Sequence, residues 1–261
     1  MVEHIKQYTK TKWLGVNIVY EECVDSTNTR AKKIGSENVM KEAVVVAKNQ
    51  TAGRGRRGRN WISPEGNCYF SIMINPNIQV ENASTITLVA ALALTQTIEN
   101  VTGLKTQIKW PNDVVVDGKK VSGILTESSV GVDGLKYVVV GVGVNANQKQ
   151  FDVEIESMAT SITLQTGREV DCAQVIGEFL NCFEKLFEVF LETEDMTALI
   201  DRYNSLLVNL NREVRVIDQG ERVGTALGIN EKGQLLVRYM DGNVESVISG
   251  EVSVRGLYGY V

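Results

Sequence analysis

Asp117 and Gly118 determine the local fold in the middle of this chain. They stand between the valines at 114–116 and a second apolar run that ends at Leu125, and an Asp-Gly pair between two such runs is a strong signal for a two-residue β-hairpin. The valine-rich stretch 135–144 predicts a third strand. This part of the chain is therefore expected to build a β-sheet.

The predicted hairpin also decides which side chains of its returning strand can enter a cleft. Lys119 and Lys120 begin that strand, and because successive side chains of a strand point to opposite faces, only one of them is expected to enter a cleft built on the sheet. In the third strand, Gly141 and Gly143 leave room for a flat ligand against the backbone, and a β-bulge is the alternative explanation.

The first half of the chain predicts a strand followed by a helix. Residues 16–22 have the β-branched and aromatic content of a strand, and the turn Asp25-Ser26-Thr27-Asn28 ends it. A short helix is predicted next, with Ala31 and Ile34 facing inward and its end at Gly35. The hydroxyls of the turn then lie at the N-terminus of this helix, where they either cap it or bind a ligand. Further strands are predicted at 43–47, buried on both faces, and at 69–74, and further helices at 84–101, 171–191 and about 195–207.

The hydrophobic pattern changes after Asn209. Five short strands separated by glycine-containing turns are predicted, at 214–218, 223–227, 235–239, 244–248 and 252–255. About fifty residues of this kind are typical of a small β-barrel appended to a larger domain. The domain boundary is therefore expected between residues 209 and 210.

Residues 53–59 read Gly-Arg-Gly-Arg-Arg-Gly-Arg in a chain whose net charge is −5. Glycine permits backbone with positive φ and lets N–H groups approach a ligand, while arginine offers a rigid fork suited to phosphate or carboxylate oxygens. No second basic cluster continues the pattern, which disfavours a nucleic-acid patch. The dinucleotide fingerprint GxGxxG is also rejected, because it requires a helix directly after the turn and here turn residues continue to Asn67. This arginine loop is predicted to bind a small anion.

The single histidine, His4, lies in the first few residues and excludes several kinds of catalysis. Ser-His-Asp and Cys-His catalysis and histidine-built metal sites need an imidazole in the core of the fold. Any catalysis is therefore expected from Lys, Arg, Asp, Asn and backbone groups.

The four cysteines, at 23, 68, 172 and 182, contain no CxxC pair and are predicted to be buried, reduced thiols. No apolar run reaches the ~18 residues of a membrane span, and no signal-peptide pattern is present, so a cytoplasmic location is expected.

Several motifs taken together resemble those of the biotin protein ligases. They are the turn at 25–28, Gln50 followed by the arginine loop and Trp61, and Lys-Trp-Pro-Asn-Asp at 109–113 followed by Lys120 and Gly-Ile-Leu. The strand that ends in Asn145 also looks like theirs, and the C-terminal β segment extends the resemblance to nearly the whole chain. The resemblance implies a mixed α/β fold, with a catalytic biotin- and ATP-binding domain at 1–209, related to class II aminoacyl-tRNA synthetases, and an SH3-like β-barrel at 210–261.

The same resemblance implies the activity of a biotin–[acetyl-CoA-carboxylase] ligase, which has two steps. Biotin and MgATP give biotinyl-5′-AMP and pyrophosphate, and a lysine of a biotin carboxyl carrier protein or domain of a biotin-dependent carboxylase then attacks the mixed anhydride to form an amide. The residues present agree with this, because a carboxylate reacts with an amine only after activation, and fixed cations reduce the repulsion between the two anions that must meet.

Site residues follow from the resemblance, position by position. The implied catalytic residues are Lys120, Arg54, Arg56 and Asp113, with Lys120 acting as a point charge at the reacting centre and Asp113 orienting the incoming lysine or assisting metal binding. The implied biotin contacts are Ser26, Thr27, Asn28, Gln50, Gly53, Arg54, Gly55, Arg56, Lys120, Gly123, Gly141 and Gly143. The implied contacts with ATP and the adenylate are Arg54, Gly55, Arg56, Arg57, Arg59, Trp61, Asn112, Lys120 and Asn145. Of the arginines, Arg54 and Arg56 are expected to touch the ligand rather than Arg59.

Ordering the arginine loop costs roughly 1–2 kcal/mol per residue, and each charge-assisted hydrogen bond to phosphate returns roughly 1.5–3 kcal/mol. Because these terms nearly cancel, we expect the loop to be mobile when empty and to close over the adenylate.

Two rival functions remain open, which are lipoate ligation on the same fold and a biotin or nucleotide sensor without turnover. About fifteen residues precede the first predicted strand, too few for a helix-turn-helix domain, so sequence-specific DNA binding is not expected. Members of the family often dimerise through sheet edges, which makes a homodimer a further expectation.

Overall fold

The computed structural model describes residues 1–37, 39–217, 220–249, 253–256 and 260–261. Its larger sheet consists of β1 (Ile18–Val24), β2 (Glu42–Gln50), β3 (Cys68–Ile74), β4 (Gln107–Lys109), β5 (Asp113–Val116), β6 (Lys119–Gly131) and β7 (Gly134–Val144). The strand order is β1-β2-β3-β7-β6-β5-β4, and only the β1–β2 pair of this described sheet is parallel. The helices are α1 (Val2–Tyr8), α2 (Thr27–Glu37), α3 (Ile86–Thr102), α4 (Ile162–Thr166), α5 (Cys172–Thr193) and α6 (Ile200–Leu206).

The predicted hairpin is formed by β5 and β6. Asp117 has φ 47° and Gly118 has φ 74°, so both central residues of the turn are in the left-handed region, as a type I′ turn requires. β6 then pairs with β7 along most of its length. The hairpin and the third strand predicted from the sequence are confirmed.

β2 separates two hydrophobic clusters on opposite faces of the larger sheet. Val44 and Val46 belong to the larger cluster, whereas Ala43 and Val45 belong to the smaller one. This alternation confirms the prediction of a strand that is buried on both faces. α2 covers the smaller cluster with Ala31 and Ile34, the two residues predicted to face inward.

α3 and α5 cover the larger cluster. α5 begins at Asp171, whose carboxylate caps the helix by accepting a hydrogen bond of 2.9 Å from the Ala173 amide. Its phenylalanines stack along the core, with successive ring centroids 5.4 to 5.9 Å apart. These are Phe179, Phe183, Phe187 and Phe190. Packing, as expected, accounts for the aromatic residues of this helix.

The smaller sheet follows α6. It consists of β8 (Glu213–Ile217), β9 (Glu221–Ile229), β10 (Leu235–Tyr239), β11 (Val244–Val247) and β12 (Ser253–Gly256), in the antiparallel order β11-β10-β9-β8-β12. The five strands predicted here are confirmed, although Asp218 and Val252 of the predicted ranges lie outside the described residues. The indole Nε1 of Trp110 donates a 3.0 Å hydrogen bond to the Gly233 carbonyl, which ties this sheet to the larger one.

Several boundaries differ from the prediction. α2 continues past Gly35 to Glu37, because the glycine gives room to a neighbouring ring: a Cβ at Gly35 would lie 2.8 Å from Tyr137. α3 begins at Ile86 because the preceding residues 80–85 form a 3-10 turn, and α6 begins at Ile200 rather than near residue 195. The short elements α1, β4 and α4 were not predicted, because each spans seven residues or fewer.

All four cysteines are free thiols, but their burial differs from the prediction. Cys68 and Cys182 are buried as expected, whereas Cys23 is exposed on β1 and Cys172 is partly exposed at the start of α5. β1 is an edge strand, and the consecutive residues Glu22 and Cys23 are both exposed near its end. None of the described helices has the length and apolar character needed to cross a membrane.

Candidate active site

A cavity of about 1560 Å³ lies between the larger sheet and the arginine loop. It brings together nearly every site residue predicted from the sequence, although these residues come from segments far apart in the chain. The predicted residues that line it are Ser26, Thr27, Asn28, Gln50, Arg54, Gly55, Arg56, Arg57, Arg59, Trp61, Asn112, Asp113, Lys120, Gly123, Gly141, Gly143 and Asn145.

Gly53 is the exception, because it does not line the cavity. A Cβ at Gly53 would lie 2.4 Å from the Trp61 carbonyl oxygen and 2.6 Å from Ser63 Oγ. Its own carbonyl accepts a 2.9 Å hydrogen bond from the Trp61 amide. Gly53 therefore permits close packing at the base of the loop.

One end of the cavity is built from uncharged hydrogen-bonding groups. Gln50 Oε1 accepts a 2.8 Å hydrogen bond from the Thr27 amide, and Gln50 Nε2 donates one of 2.9 Å to Ser63 Oγ. Ser71 Oγ lies 2.8 Å from Thr27 Oγ1 and 2.6 Å from Asn28 Oδ1. Ser71 is buried on β3 and was not singled out in the sequence, where it is one serine among apolar neighbours. This network fixes polar groups at the start of α2 in definite orientations.

Glu127 connects this polar end to the arginine loop. It accepts hydrogen bonds of 2.9 Å from Asn28 Nδ2 and 2.7 Å from Lys32 Nζ, and its carboxylate lies 3.3 Å from Arg54 Nη2. Partial burial acts to raise the pKa of Glu127, but the hydrogen bonds from Lys32 and Asn28 and the charge of Arg54 outweigh it, so the pKa is lowered. Glu127 was not predicted, although it shares one face of β6 with Gly123 and Leu125, a pattern that alternation would have revealed.

The strand glycines make room for protein side chains. A Cβ at Gly141 would lie 1.9 Å from Asn28 Oδ1, and one at Gly143 would lie 2.6 Å from the Trp61 indole. The pairing of β7 with β3 and β6 continues past both glycines without a shift in register, so the bulge interpretation was wrong. Asn28 and Trp61 can therefore reach the cavity only because these two positions lack a Cβ.

The arginine loop is a small, internally bonded structure. The Gly55 amide donates a 2.7 Å hydrogen bond to the Arg59 carbonyl, and the Arg59 amide donates one of 3.3 Å to the Arg56 carbonyl, which closes a 3-10 turn at Arg56–Gly58. Arg57 has φ 57° and Gly58 has φ 72°, whereas Gly55 is extended with φ −115°. Of the three glycines expected to permit positive φ, only Gly58 has a positive φ. The second left-handed residue of the turn is Arg57 rather than a glycine.

Arg56 and Trp61 each present a buried donor to the cavity. Arg56 Nη1 donates a 2.9 Å hydrogen bond to Asn112 Oδ1, but its Nη2 has no hydrogen-bond partner among the described residues. Burial lowers the pKa of the Arg56 guanidinium from its ordinary value, and the charge of Asp113 partly offsets this. Trp61 Nε1 is also buried without a partner in the described part of the chain. An unsatisfied buried cation favours an anionic ligand.

Lys120 and Asp113 form an ion pair of 2.6 Å at the other end of the cavity. Lys120 Nζ also lies 5.1 Å from the centroid of the Trp61 ring. The neighbouring Lys119 is half-buried and also lines the cavity, and its Nζ donates a 3.2 Å hydrogen bond to the Glu156 carbonyl. Both lysines therefore line the cavity, against the prediction that only one of them would enter it, but Lys120 is the one that approaches Asp113.

Lys109 lies close to this ion pair and was not predicted as a site residue. Burial lowers its pKa to about 8, although the charge of Asp113 raises it. In the sequence Lys109 is the first residue of the Lys-Trp-Pro-Asn-Asp motif, and nothing local shows that a lysine on a three-residue strand is buried.

Two further segments line the cavity without having been predicted. One is the connection after β7, from which Gln148, Phe151 and Met158 contribute. The Lys120 amide donates a 2.7 Å hydrogen bond to the Met158 carbonyl, which holds this connection against β6. The other segment is the end of the smaller sheet, from which Val254, Arg255 and Tyr260 contribute. Both segments reach the cavity through tertiary contacts, which leave no local signal in the sequence.

Two family models match this sequence. The Biotin/lipoate A/B protein ligase family matches residues 20–145, and the biotin protein ligase C terminal domain matches residues 210–255. The first match covers the loop, the cavity and the larger sheet, and the second covers most of the smaller sheet.

Similar proteins and structures agree with these matches. The bifunctional ligase/repressor BirA of Bacillus spizizenii is 36% identical over 250 residues, which cover 94% of this chain and 76% of that protein. The biotin–[acetyl-CoA-carboxylase] ligase of Paracoccus denitrificans is 33% identical over 82% of this chain and 91% of its own length. The biotin protein ligase of Aquifex aeolicus in complex with biotin and ATP superposes with a TM-score of 0.80 at 32% identity, covering 92% of this chain and 99% of that one.

Proposed function

The chain belongs to the biotin protein ligase family, and on this premise we propose that its cavity joins biotin to a protein lysine in two steps. In the first step, biotin and ATP give biotinyl-5′-AMP and pyrophosphate. In the second, the amine of a specific lysine on a biotin carboxyl carrier domain displaces AMP and forms an amide. This is the activity of a biotin–[acetyl-CoA-carboxylase] ligase.

The observation that carries the proposal is the buried, unpartnered Nη2 of Arg56 in the same cavity as Lys120. An N–H of a buried guanidinium is stabilised by an anionic oxygen, and the adenylation reaction brings a carboxylate and a triphosphate together. The neutral network around Thr27, Asn28 and Gln50 lies at the other end, where an uncharged, hydrogen-bonding ring system such as the ureido group of biotin fits its donors and acceptors.

In the first step a carboxylate oxygen of biotin attacks the α-phosphorus of ATP, and the bond to pyrophosphate breaks. Negative charge accumulates on the oxygens of that phosphorus as the two anions meet. Arg56 and Lys120 would stabilise this charge, and Arg54 would complete the cation set after leaving Glu127. The planar fork of arginine suits two oxygens at once, whereas lysine acts as a compact point charge.

In the second step the acceptor amine attacks the acyl carbon of the adenylate, and AMP leaves with the electron pair of the broken C–O bond. Burial acts to raise the pKa of Asp113, but the charge of Lys120 and the hydrogen bonds that it receives outweigh this, so its pKa lies below the ordinary value and it stays ionised. An ionised carboxylate here would orient the incoming lysine.

Mg²⁺ is part of the proposal as the companion of ATP. No group of three His, Cys, Asp or Glu side chains suited to a metal occurs in the described residues. This fits Mg²⁺, which is commonly held by substrate phosphates, water and one or two carboxylates. Asp113 is the carboxylate of this chain that would be available to it, and the ion would neutralise phosphate charge.

The order of the elements in the chain also bears on its other partners. The described segment before β1 contains a single helix, α1, and therefore no helix-turn-helix pair. We propose that this segment does not bind DNA sequence-specifically. A biotin-dependent footprint on a promoter would contradict this.

A homodimer formed through a sheet edge is proposed with β1 as the edge strand, and sedimentation with and without biotin tests it. The free cysteines agree with a reducing, cytoplasmic location.

The proposed function is tested by incubating the protein with ATP, labelled biotin and a biotin carboxyl carrier domain. We expect label in the carrier, stable to hydroxylamine as an amide is. Label that accumulates only as adenylate, or only as bound biotin, would identify a sensor without transfer. Labelled lipoate in place of biotin tests the other rival, and transfer of lipoate in preference to biotin would contradict the proposal.

A further inference from the structure

Tyr260 lies in the cavity although it belongs to the segment after β12. Its hydroxyl donates a hydrogen bond to Asp113 Oδ2, and its ring lies against Lys109, whose Nζ is 3.4 Å from the ring centroid. Both partners belong to the motif at 109–113. Tyr260, which follows the smaller sheet, therefore contacts a partly buried carboxylate and a buried amine of the larger sheet.

The neighbouring Val261 shows that this contact is packed on two sides. A Cβ at Gly118 would lie 3.2 Å from Val261 Cγ2, so the valine packs on the turn between β5 and β6. A Cβ at Gly256 would lie 2.0 Å from the Val261 carbonyl oxygen, so the chain also lies directly against β12. Contacts with both sheets hold Tyr260 at the edge of the cavity.

The hydrogen bond from Tyr260 completes the environment of the Asp113 carboxylate. Oδ1 is paired with Lys120 at 2.6 Å, and Oδ2 receives the hydroxyl of Tyr260. With a partner on each oxygen, the carboxylate has one orientation, and that orientation fixes the ammonium group of Lys120. Without the hydroxyl, the carboxylate could rotate about its terminal bond and carry Lys120 with it.

The charged groups that face Asp113 and Tyr260 come from four parts of the chain. Asp113 faces Lys120 from β6, Lys109 from β4 and Arg56 from the arginine loop. Tyr260 faces Arg59 of the loop and Arg255 of β12 in addition. Burial acts to raise the pKa of Asp113, and the Tyr260 hydroxyl is among the groups that lower it.

We propose that Tyr260 is a positioning residue of the ligase, which orients the Asp113–Lys120 pair through its hydroxyl and covers Lys109 with its ring. The inference rests on the proposed function and extends it, because it makes the smaller sheet a contributor to the chemistry. The Tyr260 side chain acts through Asp113 and need not touch a substrate.

The test compares Tyr260→Phe with the wild-type chain. Phe keeps the ring against Lys109 and removes only the hydroxyl. We expect single-turnover adenylate formation to slow by about tenfold, the size expected for loss of one hydrogen bond to a charged group. Because a positioning residue acts on the transition state, the loss should appear in the rate at saturating biotin and ATP, while the KM for either substrate changes by less than about twofold. Tyr260→Ala should lose more, since it also exposes Lys109.

Tyr20→Phe is the matched control, because Tyr20 also bonds a carboxylate, Glu22 at 3.0 Å, but on the exposed strand β1. It should leave both the rate and the KM values unchanged. Biotin affinity, measured on each preparation, reports an intact fold and should change by less than about twofold. Wild-type rates in Tyr260→Phe, or a loss confined to KM, would overturn the proposal. A wild-type chain that forms no adenylate would instead refute the proposed function itself.

Discussion

Lys119 and Lys120 are neighbours in the sequence with different surroundings. Lys120 is paired with Asp113, whereas Lys119 lines the cavity without approaching Asp113 and donates a hydrogen bond to the Glu156 carbonyl. Replacing Lys120 by alanine should slow adenylate formation by about a hundredfold or more while weakening biotin binding by less than about tenfold, because a fixed charge acts mainly in the transition state. Single-turnover kinetics and biotin titration measure the two effects.

Lys119→Ala is the control for this prediction, since it removes the same chemical group from the adjacent position. It should retain the wild-type rate. Equal rates for the two alanine variants would remove Lys120 from the proposed catalytic residues.

Gly141 gives a second prediction at this scale. Alanine there would place a Cβ 1.9 Å from Asn28 Oδ1, so the asparagine must move. Biotin affinity should fall by about tenfold or more, and overpacking should cost about 1–3 kcal/mol of stability. Gly131→Ala is the matched control on β6, where the new Cβ meets only the flexible end of Lys136. Calorimetric biotin titration and thermal unfolding of both variants decide the point, and unchanged affinity in Gly141→Ala would show that Asn28 is not a biotin contact.

At the scale of elements, we predict that the arginine loop is mobile in the free protein and closes over the adenylate. Three backbone hydrogen bonds shape it, between residues 55 and 59, between 59 and 56, and between 61 and 53. We expect amide exchange across 53–60 to be fast in the free protein and to slow by about tenfold or more when biotin and ATP are both present. Exchange that is equally slow in both states would contradict a mobile loop. The turn between β5 and β6, which has no proposed ligand, serves as the internal control.

Local chemistry accounts for the elements that could be predicted from the sequence. The β5–β6 hairpin was predictable because Asp117 and Gly118 tolerate positive φ, and α5 because Asp171 caps a regular apolar repeat. β4 was not predictable, since three residues carry no period and the strand exists only through pairing with β5. Tyr260, which lines the cavity, was missed for a related reason, because its role arises from contacts between distant segments, whereas Glu127 could have been found from the alternation along β6.

At the scale of the whole molecule, buried charge couples stability to pH. The pKa of Asp113 lies below its ordinary value of about 3.9 in the folded protein, so its stabilising contribution is present above about pH 4 and is lost as the pH falls through the folded-state pKa. Asp113→Asn should therefore destabilise the protein by about 3–5 kcal/mol at neutral pH, because it leaves Lys120 unpaired. The difference from wild type should shrink as the pH falls below about 4.

Urea unfolding at neutral and acidic pH measures this difference. Asp133→Asn is the control, since Asp133 is exposed between β6 and β7 and should change stability by less than about 0.5 kcal/mol at either pH. A destabilisation of Asp113→Asn that is independent of pH would contradict the role assigned to the ion pair.

The division of the core by β2 has a consequence for how this site can change over evolution. α2, which begins with the proposed biotin contacts, rests on the small cluster, while α3 and α5 pack into the large cluster on the opposite face of the sheet. Substitutions that adapt the start of α2 to a different acid would therefore disturb few of the contacts on which folding depends. A scaffold built in this way can accept new substrates at little cost in stability, and selection at 26–31 for acids related to biotin would be a practical use of that separation.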